Sequence, residues 1–266
     1  MQIVKLGGSI ITNKKAVLSG RTKKAVFRRS VARQLLKEIQ DSGQRVILVT
    51  GAGSWGHYKA DKYGLKEGFK EDSQWDGFVE VARDVRELNL LMLDEALKLG
   101  MRVVSIPPSV IALQVNSRIH FLEEGVFKRF IDKGITPLTF GDVSLDMEQG
   151  FSICGGDAIM QRLSRVFRIE RAIFVSDVDG IFLKPDKHLA EEFTPNDIDR
   201  IYPMKMRGGK GKSDDGDVTG GIMKKAQLAL AMAKDSTEVA ILNGKVKGRL
   251  LDALKGGRPK GTWFKR

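Results

Sequence analysis

The residues best suited to chemistry in this 266-residue chain stand beside glycines. GAGSWGH sets Gly51, Gly53 and Gly56 just ahead of His57, one of only three histidines. Glycines let a backbone turn successive amides toward an anion, because no Cβ blocks the approach. The same spacing matches the dinucleotide fingerprint, which wants an acidic residue about 20 positions on, at a strand end. Glu71 and Asp72 stand there in a hydrophilic stretch with no strand before them. A phosphate-holding nest, with His57 as hydrogen-bond donor, is the better reading; a capping or core histidine is the bland alternative. KLGGS places Lys5 ahead of Gly7, Gly8 and Ser9, an ammonium beside approachable amides, or a plain turn with an exposed lysine. The Gly-x4-Gly-Lys-Ser/Thr spacing of a P-loop is absent. In SDVDG, Asp177 and Asp179 precede Gly180. They could orient lysines, contact a nucleotide sugar or sit near magnesium, or form an Asx turn. DVTGG leads into IMKK, placing Gly221 and Lys225 at a helix start suited to an anion, unless Asp217 or Thr219 merely caps it.

These motifs need a frame. QIVKL (2–6), RVILVT (45–50), RVVSI (102–106), ITPLTF (135–140), AIFVSD (172–177) and EVAILN (238–243) are nearly continuous apolar runs, as in strands buried on both faces. Helical spacing separates several of them: Phe27, Val31, Leu35 and Ile39; Val81, Val85, Leu88, Met92 and Ala96; Leu163 and Val166; Ile222, Ala226 and Leu230. The alternation predicts an α/β fold with a largely parallel sheet covered by helices. Ligands of such sheets bind beyond the carboxyl ends of strands. There KLGGS follows the first strand, GAGSWGH the second, GDVS the fourth and SDVDG the fifth. Residues 206–221 read as a glycine-rich loop, with DVTGG just before a helix.

Composition narrows the class. Hydrophobic residues make up 42% and charged residues 29%, within the soluble globular range. No apolar run reaches the ~20 residues of a membrane span, and MQIVKLGGSI lacks the features of a secretion signal. Cys154 is the only cysteine, which rules out an intrachain disulfide or a cysteine metal cluster. A cytoplasmic protein without a membrane partner is the expectation. The net charge of +12 is spread along the chain, not gathered into a basic, aromatic-laced face, so a nucleic-acid partner is not expected.

KLGGS, ITNK, GAGSWGH, GDV, GGD, SDVDGIF and DVTGGIMKK occur in that order between Met1 and about Asn243. In these the chain resembles the amino acid kinase superfamily. The histidine of GAGSWGH, followed by YGL, makes it most similar to the isopentenyl phosphate kinases. The resemblance implies a three-layer αβα sandwich with a mainly parallel central sheet, one domain over 1–266 and a homodimer. The first half (about 1–145) would hold the phosphoryl acceptor and the second (about 146–266) ATP. The activity implied is transfer of the γ-phosphoryl of ATP to isopentenyl phosphate, with Mg2+. Carried over by motif, Lys5, Gly7, Gly8 and Ser9 match the phosphate-cradling loop, and Lys14 the lysine that stabilises the group in transit. Ala52 and Gly53 match the turn between acceptor and ATP phosphates, His57 the grip on the acceptor phosphate, and Gly156 a substrate contact. Asp157 matches the aspartate that orients the lysines. Asp177, Asp179 and Gly180 match the nucleotide side, and Gly221 and Lys225 the ATP phosphates. Three positions depart from the family pattern. Thr50 replaces a histidine and Gly155 a serine, both near the acceptor phosphate; Trp55 replaces a phenylalanine and bears on pocket shape.

The charges suggest how such a site works. Two anions must meet, so Lys5, Lys14, Lys225, a magnesium ion and glycine amides would supply counter-charge. A phosphate acceptor, with a second pKa of about 6, needs no general base near pH 7. Its hydrocarbon tail needs an apolar wall, for which Val85, Leu88, Met92 and Leu93 are candidates, with core packing the alternative. The competing readings are a kinase for fosfomycin or an amino-acid carboxylate, and a regulatory protein that binds nucleotide without turnover.

Overall fold

The computed structural model describes residues 1–13, 26–202, 214–235 and 237–265. Its strands are β1 (Gln2–Leu6), β2 (Val46–Thr50), β3 (Val103–Ser105), β4 (Ala112–Val115), β5 (Arg118–Leu122), β6 (Thr136–Phe140) and β7 (Asp142–Asp146). They continue as β8 (Gly150–Cys154), β9 (Arg171–Ser176), β10 (Phe182–Leu183), β11 (His188–Leu189), β12 (Glu192–Phe193), β13 (Glu238–Asn243) and β14 (Gly261–Phe264). The helices are α1 (Gly8–Ile11), α2 (Arg29–Ser42), α3 (Gly53–Lys62), α4 (Ser73–Lys98), α5 (Pro108–Ile111), α6 (Glu124–Asp132), α7 (Gly156–Val166), α8 (Asp214–Lys234) and α9 (Arg249–Leu254).

Eight strands form the central sheet in the order β12-β14-β13-β9-β1-β2-β6-β3, parallel except where β14 pairs antiparallel with β13. All six apolar runs are strands of this sheet. Their carboxyl ends align: Leu6 lies opposite Thr50 and Val175, Thr50 opposite Phe140, and Ser176 opposite Asn243. The loops that follow therefore share one edge.

Side chains alternate across a strand, so β1 feeds two cores. Ile3 joins Ile47, Val49 and Phe174 beneath α7 and α8, through Ile159, Leu163, Ala226 and Leu230. Val4 and Leu6 join Leu48 and Ile173 beneath α2 and α4, through Leu35, Leu36, Leu88 and Met92. Lys5 faces the first of these cores, opposite Val49 and Phe174. Leu88 and Met92 are thus core beneath the sheet. Only Val85, of the four proposed wall residues, joins the separate cluster of Ala60, Val81, Phe140, Val143 and Phe151.

A second sheet, β5-β4-β7-β8, flanks this cluster. Val143 and Phe151 pack one of its faces against the cluster, while the other buries polar side chains. Gln114 donates to the hydroxyls of Ser144 (2.9 Å) and Ser152 (2.6 Å), and Ser152 donates to Asp146 (2.8 Å). Asp146 also accepts the amides of Asn116, Ser117, Glu148 and Gln149 at 2.8–3.1 Å, tying together the turns of two hairpins.

The loop expected over 206–221 is corrected in its second part. Helix α8 begins at Asp214, so DVTGG lies within its opening turns and Lys225 well inside it. The apolar face of Ala226, Ala229, Leu230 and Ala233 buries against the sheet. Once a helix is nucleated that way, each glycine costs only about 1 kcal/mol.

Candidate active site

Lys5 leaves β1 one residue before its end and is 7% exposed. Asp157 stands in the first turn of α7, whose apolar face fixes it over β1 and β2. The Lys5 ammonium donates to Asp157 Oδ1. Lys225 Nζ, arriving from α8, lies 3.0 Å from both Asp157 oxygens and sits over the Phe174 ring, 4.9 Å from its centroid. One carboxylate thus holds two ammonium groups, leaving the trio with a net positive charge. Burial pushes the Lys5 pKa down to about 8, against the attraction of Asp157. Burial alone would push Asp157 up, but the two ammonium charges hold it well below the usual carboxylate range.

The glycine loops meet beside this trio. A Cβ on Gly8 would collide with the backbone of Gly53, and one on Gly51 would lie 2.5 Å from the Gly8 amide nitrogen. Gly53 has φ +54°, and its Cβ would strike Thr12. Thr12 ties the loops together, donating to Gly8 O (2.7 Å) and accepting the Ser54 amide (3.2 Å). Among the described residues the amides of Gly8 and Gly53 are paired with no acceptor. A Cβ on Gly156 would sit tightly against Lys5 Cε (3.1 Å) and Thr50 O (3.2 Å). Gly141, of the GDVS motif, brings the Ala52 and Gly156 amides near one another, each 3.5 Å from where its Cβ would be. Gly7 donates to Val175 O (2.8 Å), Ser9 lies in the short α1, and Gly221 is exposed in α8.

Helix α3 starts directly after the second glycine loop and carries His57 near its head, exposed and not turned into the core. Gly56 serves packing instead: a Cβ there would lie 2.8 Å from the Ala52 Cβ and 3.3 Å from Val85 Cγ1, across the α3–α4 contact. The departures resolve differently. Trp55 is buried in the core with Leu6, Leu88 and Met92, beneath the sheet. Thr50 is buried at the end of β2. A side chain on Gly155 would meet open space within 4 Å, so the missing serine leaves room at the head of α7.

At the far side of the same edge, both carboxylates of SDVDG are engaged. Asp179 Oδ1 accepts Arg249 (2.6 Å) and Asn243 (3.1 Å), and Lys245 Nζ lies 3.6 Å from Asp177. Asn243, Lys245 and Arg249 were not singled out in the sequence; their position just beyond a strand end was the available signal. Lys14 lies outside the described residues. Apart from Gly221, exposed on α8, the other candidates lie along one sheet edge, the lysine–aspartate trio at its centre and Asp177–Gly180 beside it.

Lysines and amides clustered at the carboxyl edge of a parallel sheet make a site for phosphoryl groups. The model of the amino acid kinase family matches residues 1–243, and the chain belongs to that family. The isopentenyl phosphate kinase of Thermoplasma acidophilum is 34% identical over 257 residues, covering 96% of this chain and 96% of the relative. That of Methanothermobacter thermautotrophicus is 29% identical, covering 98% of each. A solved isopentenyl phosphate kinase structure superposes with a TM-score of 0.83 at 26% identity, covering 100% of both chains. Within the amino acid kinase family, the chain belongs with the isopentenyl phosphate kinases.

Proposed function

We propose that this protein transfers the γ-phosphoryl group of ATP to isopentenyl phosphate, forming isopentenyl diphosphate and ADP. The observation that carries the reading is the pair of ammonium groups on one carboxylate, set against glycine amides at a strand end that have no acceptor among the described residues. Phosphoryl transfer asks a protein mainly for positioning and for neutralising charge that spreads in the transition state. Lys5 and Lys225 are pre-placed for that, and Asp157 aims both without cancelling their combined charge. The Gly8 and Gly53 amides add dipoles that need not reorganise. His57, exposed at the head of α3, grips the acceptor phosphate and directs its oxygen; Ala52, Gly53 and Gly156 line the meeting point. Near pH 7 that oxygen is already mostly deprotonated, so no residue has to act as base. Lys14 stabilises the group in transit.

The division of labour follows the sheet edge. Residues up to about 145 hold most of the acceptor and the rest most of ATP, with Asp177–Gly180 and Gly221 on the nucleotide side and Lys5, Gly8 and Gly156 where the two meet. Among the described residues no group of three or more His, Cys, Asp or Glu side chains could hold a metal ion, and Asp157 and Asp179 already accept from cations. Magnesium carried on the triphosphate would add counter-charge beside Lys5 and Lys225. The same reading makes the protein a cytoplasmic homodimer; among the described residues no helix is long and apolar enough to cross a membrane.

The test is to incubate the protein with Mg-ATP and isopentenyl phosphate, dimethylallyl phosphate, fosfomycin, glutamate or carbamate, and to follow ADP release. Isopentenyl phosphate should give the highest kcat/KM. Turnover with fosfomycin or glutamate but none with isopentenyl phosphate would reassign the acceptor. ATP binding without turnover on any acceptor would favour a regulatory role.

A further inference from the structure

The segment 177–180, between β9 and the hairpin β10–β11, is neither strand nor helix, so no ladder holds its shape. Side-chain ties hold it instead. Arg249 donates to Asp179 at 2.6 Å, Asn243 Nδ2 to the same oxygen at 3.1 Å, and Lys245 Nζ to the Asp177 carbonyl at 3.1 Å. On the downstream side the Ile181 amide donates to Thr262 Oγ1 at 2.8 Å.

The arginine springs from a fixed base. Leu250, Ala253 and Leu254 of α9 are buried in the core beneath the sheet. The carboxylate of Glu38, on α2 and 5% exposed, accepts the amides of Gly248 (2.9 Å) and Leu251 (3.1 Å). The Arg249 side chain is 17% exposed and that of Asp179 34%, so the pair is partly shielded from water. A tie of that kind, from a rigid helix to an irregular loop, sets the loop's conformation more than it adds to global stability.

We propose that Arg249 is a positioning residue for the nucleotide. Clamped on Asp179, it holds residues 177–180 in the shape that receives ATP, and the Asp179 carboxylate serves through this clamp. The inference rests on the kinase reading above. It assigns Arg249 no contact with the reacting atoms, so its loss should change nucleotide affinity and spare the chemical step.

The experiment measures kcat and both KM values for the parent, Arg249→Ala, Arg249→Lys, Asp179→Asn and the Arg249→Ala/Asp179→Asn double variant. Each single removal should raise KM for ATP about fivefold, with kcat within about twofold and the acceptor KM unchanged. The double variant should be no worse than either single, because both break one clamp, and Arg249→Lys should recover part of the loss. Should Arg249→Ala fail to fold, Arg249→Lys and Asp179→Asn carry the same comparison. An unchanged KM for ATP, additive losses, or a fall in kcat alone would overturn the proposal. So would a much larger effect of Asp179→Asn than of Arg249→Ala, which would make the carboxylate a direct nucleotide contact. A parent that binds no nucleotide sinks the kinase reading and this inference with it. A parent that turns over normally, beside an Arg249→Ala variant of parental KM, sinks the inference alone.

Discussion

Replacing Asp157 with asparagine removes one negative charge and leaves two ammonium groups facing each other. In the parent, Lys5 holds its proton up to about pH 8, burial pulling the value down and Asp157 pulling it back. At about 4 Å and an effective dielectric of about 20, one charge pair is worth about 4 kcal/mol. The Asp157 side chain is 28% exposed, so water screens part of this, and about half, roughly 2 kcal/mol, is a fair allowance. That equals about 1.5 pH units of proton affinity, moving Lys5 well below its parental value in the variant. The ammonium is the active form, so activity is lost as pH rises through these values. At pH 8 half of the parent carries the charge, against only a few per cent of the variant; at pH 6 both are mostly charged. The variant's deficit in kcat/KM for ATP should therefore be about tenfold larger at pH 8 than at pH 6, on top of any constant loss from geometry. A coupled assay of ADP release across pH 6–9 measures it, with kcat/KM reporting the free enzyme. A deficit that is flat with pH, or that grows toward acid, refutes the reasoning. The same lysine bears on stability. Its folded value of about 8 lies below the ordinary 10.5, so between those values the unfolded chain binds more protons and the group's contribution to stability rises with pH.

Three further outcomes follow from the geometry. His57→Ala should lower kcat/KM for the acceptor by about a hundredfold and leave ATP affinity near the parent's, measured by initial rates and nucleotide titration; parental acceptor kinetics would remove His57 from the site. Gly8→Ala drives a methyl group into the Gly53 backbone, so it should cost about 1–3 kcal/mol in denaturant unfolding and nearly all activity. Asp146→Asn should cost about 2 kcal/mol at pH 7, by chemical denaturation. Burial favours the protonated form of Asp146, but the Ser117 amide, the Ser152 hydroxyl and the Gln149 and Glu148 amides together hold its pKa below the ordinary value. Its contribution is present above the unfolded pKa and fades as pH falls through the folded one, so parent and variant should converge in acid.

The parallel sheet and the glycine loops along its carboxyl edge were legible in the sequence, because both rest on local rules. Strands buried on both faces must be apolar throughout, and QIVKL and EVAILN are recognisable for that reason. Glycines that must admit another backbone cannot be replaced, so Gly8, Gly51 and Gly53 mark the loops before any coordinates exist. Lys5, Asp157 and Lys225 could be nominated one by one from the motifs around them. The second sheet was not legible: it is buried on both faces, and one of them carries Gln114, Ser144, Ser152 and Asp146, which satisfy one another and so break the apolar-in, polar-out pattern. Gly56, read with the phosphate loop, and the buried Trp55 both face packed neighbours, a placement set by where α4 and α2 lie.

By itself the sequence determined which residues could carry charge, which loops could expose amides, and that those loops follow strands. Only the tertiary structure decided which charges meet. Lys5 and Asp157 are 152 residues apart in the chain, and Asp179 and Arg249 are 70 apart. No local propensity relates such positions. Packing of α7, α8 and α9 on the two faces of one sheet brings them within hydrogen-bonding distance.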